Sequence, residues 1–207
     1  MNNKYNLSTL LTFFIFFTGT LIAQVDESIS ETNSNLSNKT FRHALNICPI
    51  APAFGIYAVN YEYLFNPKHG ILARIEYEDV PKTYTDASIE SNGWAYSLNY
   101  RRHLSGEMNS IFLGAYSRYR SYNGSGTLDS KKFNFKLPSF TLGLNAGKRW
   151  VWNSGFNITF SLGYGISMDD RQATPSDSSI ESILDKFEKE YDFISPFYGE
   201  LSIGYAF

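Results

Sequence analysis

The chain has 207 residues, of which 43% are hydrophobic and 17% aromatic, and its formal net charge is −2. This size predicts one domain behind an export signal, and the absence of a basic patch disfavours nucleic acid as a partner. After the N-terminal region no apolar run is long enough for a membrane-spanning helix, while the many Tyr and Trp side chains favour a membrane interface.

The first 23 residues have the pattern of a secretory signal. Lys4 supplies a positive charge, Leu10–Thr20 is an apolar core, and Ala23 offers a small residue before cleavage at Gln24. The alternative is an anchor helix, but the apolar run is shorter than the roughly 20 residues that a spanning helix needs. No Cys follows the core, so lipoprotein processing is not expected.

Residues 24–40 are polar, rich in Ser and Asn and without periodicity, which predicts a flexible periplasmic tail before a domain at 41–207. Cys48 is the single cysteine, so no internal disulfide can form. It is either a reactive thiol or a small buried residue, and we favour the latter.

Large apolar residues alternate with small or polar ones in eight segments, which predicts eight β-strands. They span about 41–49, 54–65, 71–80, 93–104, 110–122, 135–152, 155–168 and 195–207. The connections after the second, fourth and sixth strands are tight, whereas polar loops are expected at 81–92, 123–134 and 169–194. Pro138 should lie at a bulge or above the membrane, because a closed barrel has no edge for it.

The seventh strand shows the alternation most clearly. Its even positions from Phe156 to Met168 are large and apolar, and its odd positions are only Gly, Asn, Thr or Ser. Small uncharged residues suit the narrow lumen of a closed barrel, which leaves the apolar face for lipid. About 9–11 residues of tilted strand cross a bilayer. A soluble lipocalin-like barrel would have the opposite arrangement.

An even strand number and alternating connection lengths are typical of outer-membrane barrels. Over 41–207 the chain resembles the small OmpA- and OmpX-like barrels of Gram-negative bacteria, most nearly a family described only as domains of unknown function. The last strand, LSIGYAF, carries much of this resemblance. It implies that Tyr205 and Phe207 form the signal read by the barrel-assembly machinery, with the outer membrane as destination and its bilayer as partner.

The predicted fold is therefore all-β, an eight-stranded antiparallel transmembrane barrel. Outward aromatic residues near its periplasmic rim should form a girdle at the membrane interface. The girdle residues are Tyr63, Phe65, Trp150 and Trp152.

The charged residues that alternation directs inward are the candidate functional site. We expect an external tier of Arg118, Arg120, Glu76, Glu78 and Glu200, and a periplasmic tier of Arg74, Arg101 and Glu62. Both signs are present, so the charges can form the paired network that burial demands. The network is either a selective pore or a plug. The plug is favoured, because an eight-stranded barrel is just wide enough for its own side chains.

One amphipathic helix is predicted in the last external loop, at about Ser178–Glu190. Ser178 and Glu181 have the spacing of a capping box. The apolar face consists of Ile180, Ile183, Leu184 and Phe187. The helix either caps the barrel mouth or lies on the lipid surface, or else binds an unknown surface partner.

No GxSxG, HExxH, P-loop or paired-Cys motif is present, so no catalytic residue, metal or cofactor is expected. We expect a structural or surface-interaction role carried by the external loops. A narrow channel or small-solute transporter is the alternative, and a lipid-modifying enzyme is a further one.

Overall fold

The computed structural model describes residues 40–80, 89–128, 131–170, 172–174, 178–180, 182, 185 and 196–207. The predicted signal peptide lies outside this part, as does the predicted tail apart from Thr40.

The described fold consists of nine antiparallel strands, one short 3-10 turn, Ala51–Phe54, and helical residues at 178–180, 182 and 185. The strands are β1 His43–Ile47, β2 Ile56–Asn66, β3 His69–Val80, β4 Glu90–His103, β5 Ile111–Leu128, β6 Lys131–Val151, β7 Phe156–Asp169, β8 Gln172–Thr174 and β9 Phe197–Ala206. None of the described helical segments is long and apolar enough to span a membrane.

Eight of these strands form a closed ring. Each pairs with its neighbour in sequence from β1 to β7, then β7 pairs with β9, and β9 pairs with β1. The closing ladder runs from Ala44 opposite Ala206 to Ile47 opposite Ile203. The short β8 lies outside the ring, on residues 134–136 of β6. The all-β, eight-stranded barrel predicted from the sequence is confirmed.

The two ends of the barrel differ in their connections. The antiparallel order brings the β2–β3, β4–β5 and β6–β7 turns to the same end as the start of β1 and Phe207. We call this the turn end and the opposite one the loop end. Pro138 lies near the loop end, between the ladder of β6 with β7, which ends at Ser139, and its ladder with β8, which begins at Lys136.

Two strands reach further than predicted. The predicted loop at 123–134 is wrong for residues 123–128 and 131–134, because these residues are paired strands that continue the β5–β6 hairpin. Gly and Lys suggested a loop, but alternation persists there, with Phe133 and Phe135 both 2% exposed. Their rings lie over Gly124 and Gly126, where no side chain blocks them. β4 likewise begins at Glu90 rather than at residue 93.

The alternation along β7 separates two faces as predicted. Ile166 is 77% exposed and Tyr164 66%, whereas Thr159 and Ser161 are fully buried. The bulky side chains therefore point away from the centre of the ring, and the small ones line its lumen.

Aromatic rings fill part of the lumen by packing over glycines. Phe112 of β5 lies opposite Gly147 of β6, and Tyr116 opposite Gly143. A Cβ added at Gly143 would lie 2.5 Å from the Tyr116 ring. The Tyr116 hydroxyl donates to the Pro196 carbonyl at 2.9 Å, so this ring is held in place.

We predict that Gly143→Ala destabilises the barrel by about 1–3 kcal/mol, the usual cost of overpacking a filled interior. Gly199→Ala is the matched control, because its nearest neighbour would be a Phe197 ring atom at 3.3 Å. The control should change stability by less than about 1 kcal/mol. Urea unfolding of both variants in detergent micelles measures the difference, and equal midpoints would contradict the packing argument.

The charged lumen as candidate functional site

All eight charged residues that the sequence directs inward are buried, each 5% exposed or less. They come from β2, β3, β4, β5 and β9, and in each strand they alternate with exposed or half-buried residues. The barrel therefore holds its charges in the lumen, in two tiers. The turn-end tier contains Glu62, Arg101, His103, Arg149 and Glu200, and the loop-end tier contains Arg74, Glu76, Glu78, Arg118 and Arg120.

Glu62 is the centre of the turn-end tier. Its Oε2 accepts from Arg101 Nη1 at 3.0 Å and from Arg149 Nη2 at 2.6 Å. Its Oε1 lies 2.8 Å from His103 Nε2. Three strands, β4, β6 and β2, are thus joined through one carboxylate.

Glu200 is the second carboxylate of this tier. It forms an ion pair with Arg101, so that Arg101 bridges two carboxylates. It also accepts from Asn60 Nδ2 at 2.9 Å, Ser202 Oγ at 2.8 Å and the Tyr198 hydroxyl at 3.2 Å. Because its oxygens have neutral donors as well as a cation, the burial of this carboxylate is well compensated.

Arg149 is missing from the set predicted from the sequence. It occupies an odd position of β6, as the inward-facing Asn145 and Gly147 do, so extending the alternation by two residues would have found it. It also donates to Asn157 Oδ1 at 3.1 Å. His103 is likewise absent from the predicted set, although it follows Arg101 at i+2 and therefore lies on the same face of β4.

The loop-end tier joins β3 to β5. Glu76 forms an ion pair with Arg74, and its Oε2 lies 4.0 Å from Arg118 Nε. Glu78 Oε1 accepts from Arg120 Nε at 3.3 Å. Three guanidinium groups thus share two carboxylates.

The tiers expected from sequence position are wrong for Arg74, which pairs with Glu76, and for Glu200, which pairs with Arg101. Positions i and i+2 share one face of a strand, so Arg74 lies beside Glu76 wherever the tier boundary falls. Strand tilt in a barrel also shifts the height of a residue relative to its position along the strand.

Tyr198 of β9 is fully buried against the loop-end tier. The guanidinium carbons of Arg118 and Arg74 lie 5.1 and 5.5 Å from its ring centroid, within cation–π range. Arg74 Nη1 donates to the Gly199 carbonyl at 2.9 Å, and Arg118 Nη1 to the Phe197 carbonyl at 3.2 Å. The arginines therefore also fix the start of β9.

Apolar clusters lie toward both ends of the charged lumen. At the turn end the cluster includes Met108, which the β4–β5 turn directs inward and which is 2% exposed. Its members are Ala44, Leu64, Met108 and Ala206, with Phe41 and Val151 packed against them. The loop-end cluster is Ile89, Phe133, Phe135, Leu137 and Ile180, with Tyr122 and Ala173 against it.

Part of the predicted external helix belongs to this loop-end cluster. Residues 178–180, 182 and 185 are helical, and Ile180 is 4% exposed. Ile183, Leu184 and Phe187, the other predicted members of the apolar face, lie outside the described residues. The placement of Ile180 favours a helix that caps the barrel mouth.

The predicted girdle and assembly residues lie on the outer face near the turn end. Tyr63 is 40% exposed, Phe65 46% and Trp152 47%, and Trp150 is half-buried. Tyr205 and Phe207 are more than half exposed. The His43 ring lies between Tyr63 and Phe207, with ring centroids 4.9 and 5.4 Å away.

The single cysteine and the possible metal ligands lie as follows. Cys48 is a free, buried thiol whose Sγ lies 3.9 Å from Asn60 Nδ2. Among the described residues, no three His, Cys, Asp or Glu side chains form a group that could hold a metal ion.

Residues 32–207 match the family described as protein of unknown function, DUF3575. The chain belongs to this family. No curated protein matches the sequence. Two crystal structures of Acinetobacter baumannii proteins are similar to the fold. CarO is 11% identical in sequence and has a TM-score of 0.41, and the match covers 84% of this chain and 100% of the CarO chain. CarO2 is 10% identical in sequence and has a TM-score of 0.40, and the match covers 81% of this chain and 98% of the CarO2 chain.

For this DUF3575 barrel, we predict that Glu62→Gln is strongly destabilising. It removes the charge shared by Arg101 and Arg149, and breaking a buried ion pair from one side costs about 3–5 kcal/mol. Glu107→Gln, in the exposed β4–β5 turn, is the matched control and should be nearly neutral.

Adding Arg149→Met to Glu62→Gln should recover part of the loss, because it removes one of the uncompensated cations. Urea unfolding in micelles reads all four proteins. A Glu62→Gln barrel as stable as the Glu107→Gln control would show that the network contributes little.

Proposed function

We propose that the protein is an outer-membrane β-barrel with a structural or surface-interaction role, in which external segments carry the function and paired charges fill the lumen. The observation that carries this proposal is the inversion of the barrel: most of its large apolar side chains are exposed, whereas the charged residues of both tiers are buried. A water-soluble barrel has the opposite distribution, whereas a barrel in a bilayer needs this one.

The exposed apolar residues form a belt around the ring. Leu144 is 71% exposed, and every ring strand contributes to the belt. Its members include Leu45, Ile47, Tyr57, Val59, Tyr61, Ile71, Ile75, Trp94, Tyr96, Leu98, Ile111, Leu113, Tyr119, Phe140, Leu142, Leu144, Leu162, Tyr164, Ile166, Met168 and Phe197. An uninterrupted belt of this kind far exceeds the scattered apolar residues of a soluble surface.

The belt has polar limits at the loop end. On β6 the outward column changes from the exposed Asn134 and Lys136 to Phe140. On β4 it changes from Asn92 to Trp94. A change from polar to aromatic residues at one level is typical of a barrel that leaves the hydrocarbon there.

The connections support an orientation. Short turns face the periplasm in outer-membrane barrels and longer segments face outward. The turn end is then periplasmic, and the loop end, with the extended β5–β6 hairpin, β8 and Ile180, is external. Exposed polar residues on this extension, such as Thr127, Lys132 and Asn134, are available to a surface partner.

The lumen supports a closed barrel rather than a channel. Glu62 and Arg101 are fully buried, and a buried apolar cluster lies toward each end of the network. An eight-stranded barrel has an interior that its own side chains can fill. A narrow channel and a lipid-modifying enzyme remain the alternatives, and the resemblance to OmpA- and OmpX-like barrels stays a prediction.

We predict that Leu144→Arg destabilises the protein in phospholipid vesicles by about 2–4 kcal/mol, the cost of a lipid-facing cation near the bilayer centre. Asn134→Arg, on the same strand beyond the belt, is the control and should change stability by less than about 0.5 kcal/mol. The free energies of unfolding of the two variants are compared by urea titration, with heat-modifiable gel mobility as the readout of the folded fraction. Equal, small effects would show that Leu144 faces water and would reject the membrane assignment.

We also predict that the purified barrel gives no stable single-channel steps in planar bilayers, because paired charges and aromatic side chains occupy the described lumen. A porin reconstituted in parallel is the positive control, and gel mobility establishes that the barrel is folded. Large, reproducible steps from the folded protein would favour the channel alternative.

A further inference from the structure

Two cationic side chains lie on the outer, apolar face of the barrel. Arg102 of β4 has Tyr100 before it and Leu104 after it in the same outward column, and these neighbours are 42% and 52% exposed. The residues between them in sequence, Arg101 and His103, are fully buried in the lumen. Arg102 is itself exposed, so its guanidinium group lies on the face that carries the belt.

Lys148 of β6 occupies an equivalent place. It follows the exposed Ala146 in the outward column and precedes Trp150 and Trp152 of the girdle. Its Nζ lies 5.8 Å from the Trp150 ring centroid. The ammonium group is therefore at the level where the apolar belt meets the aromatic girdle.

The two cations lie on the same side of the barrel, separated only by β5. Arg102 is opposite Leu113, and Lys148 is opposite Ile111. Two strand spacings, about 10 Å, thus separate the columns. His69 of β3 lies opposite Arg102 on the other side, with its Nδ1 2.5 Å from the Tyr100 hydroxyl.

Neither Arg102 nor Lys148 forms an ion pair with any residue that the structure describes. The other exposed charged groups that the structure describes near the turn end are Arg42, directly before β1, and Lys68 and Glu107, in turns. The remaining exposed carboxylates that the structure describes are on Asp79, Glu90, Asp169 and Asp170 at the loop end and on Asp185 in the helical segment. Within the part of the chain that the structure describes, no carboxylate therefore pairs with either cation.

A cation that faces lipid is tolerated near an interface, where a long side chain can extend to the headgroups. A phospholipid phosphate is the anion available at that depth, and the guanidinium fork of Arg matches its geometry. We propose that Arg102 and Lys148, with His69 beside them, bind the phosphate groups of phospholipids in the periplasmic leaflet. This inference rests on the proposed outer-membrane location.

The test measures phosphatidylglycerol retained by the folded barrel in native mass spectrometry from mild detergent. The Arg102→Gln/Lys148→Gln variant should bind this lipid about tenfold more weakly, because two charge-assisted contacts are lost. Lys132→Gln/Lys136→Gln, which removes the same charge from the external part of β6, should bind like wild type. Arg102→Lys/Lys148→Arg should retain most of the binding.

Each other outcome is informative. Equal retention by wild type and the Arg102→Gln/Lys148→Gln variant overturns the proposed site, as does an equal loss in the external control. If inorganic phosphate alone binds as tightly as the lipid, the site is a general anion site and the lipid assignment is wrong. Gel mobility in vesicles is recorded for every variant. A barrel that inserts but does not retain phosphatidylglycerol refutes this inference alone. A barrel that never inserts refutes the proposed function.

Discussion

The rest of the barrel depends on one interaction, the contact of the Glu62 carboxylate with Arg101, Arg149 and His103. It ties three strands together at a point where water does not reach it. Buried charges destabilise a fold unless each has partners, and here the partners come from strands far apart in sequence. The ring therefore has to be complete before this group of charges is compensated.

The same requirement explains why the lumen combines unlike residues. Buried guanidinium groups need packing and hydrogen-bond acceptors around them, which the Tyr198 ring and the backbone carbonyls of β9 provide. Opposite them, glycines such as Gly143 make room for aromatic rings. Between the two apolar clusters, the interior is a packed core made of polar and aromatic groups, while apolar side chains such as Leu144 and Ile166 face outward.

Much of this arrangement could be predicted from the sequence, because the period of two assigns every residue of a strand to one of two faces. The inward direction of Glu62 or Arg118 needs no knowledge of other strands. The choice of partner does, since it depends on register and tilt, and this is why the pairing of Arg74 and of Glu200 was misjudged. The ends of β5 and β6 were predicted wrongly for a different reason. Gly and Lys at 124–132 are typical of a loop, although Phe133 and Phe135 maintain the alternation of a strand.

The pairing of β1 with β9 has a consequence for how the barrel forms. Phe207 exchanges two backbone hydrogen bonds with His43, at 2.8 and 2.9 Å, so the final residue completes the seam beside the first strand. Contacts between such distant segments are slow to form, because a long loop must close before they can stabilise it. Until that moment both seam strands have unpaired edges, so a nascent chain awaiting closure is most vulnerable to association with other chains along this line.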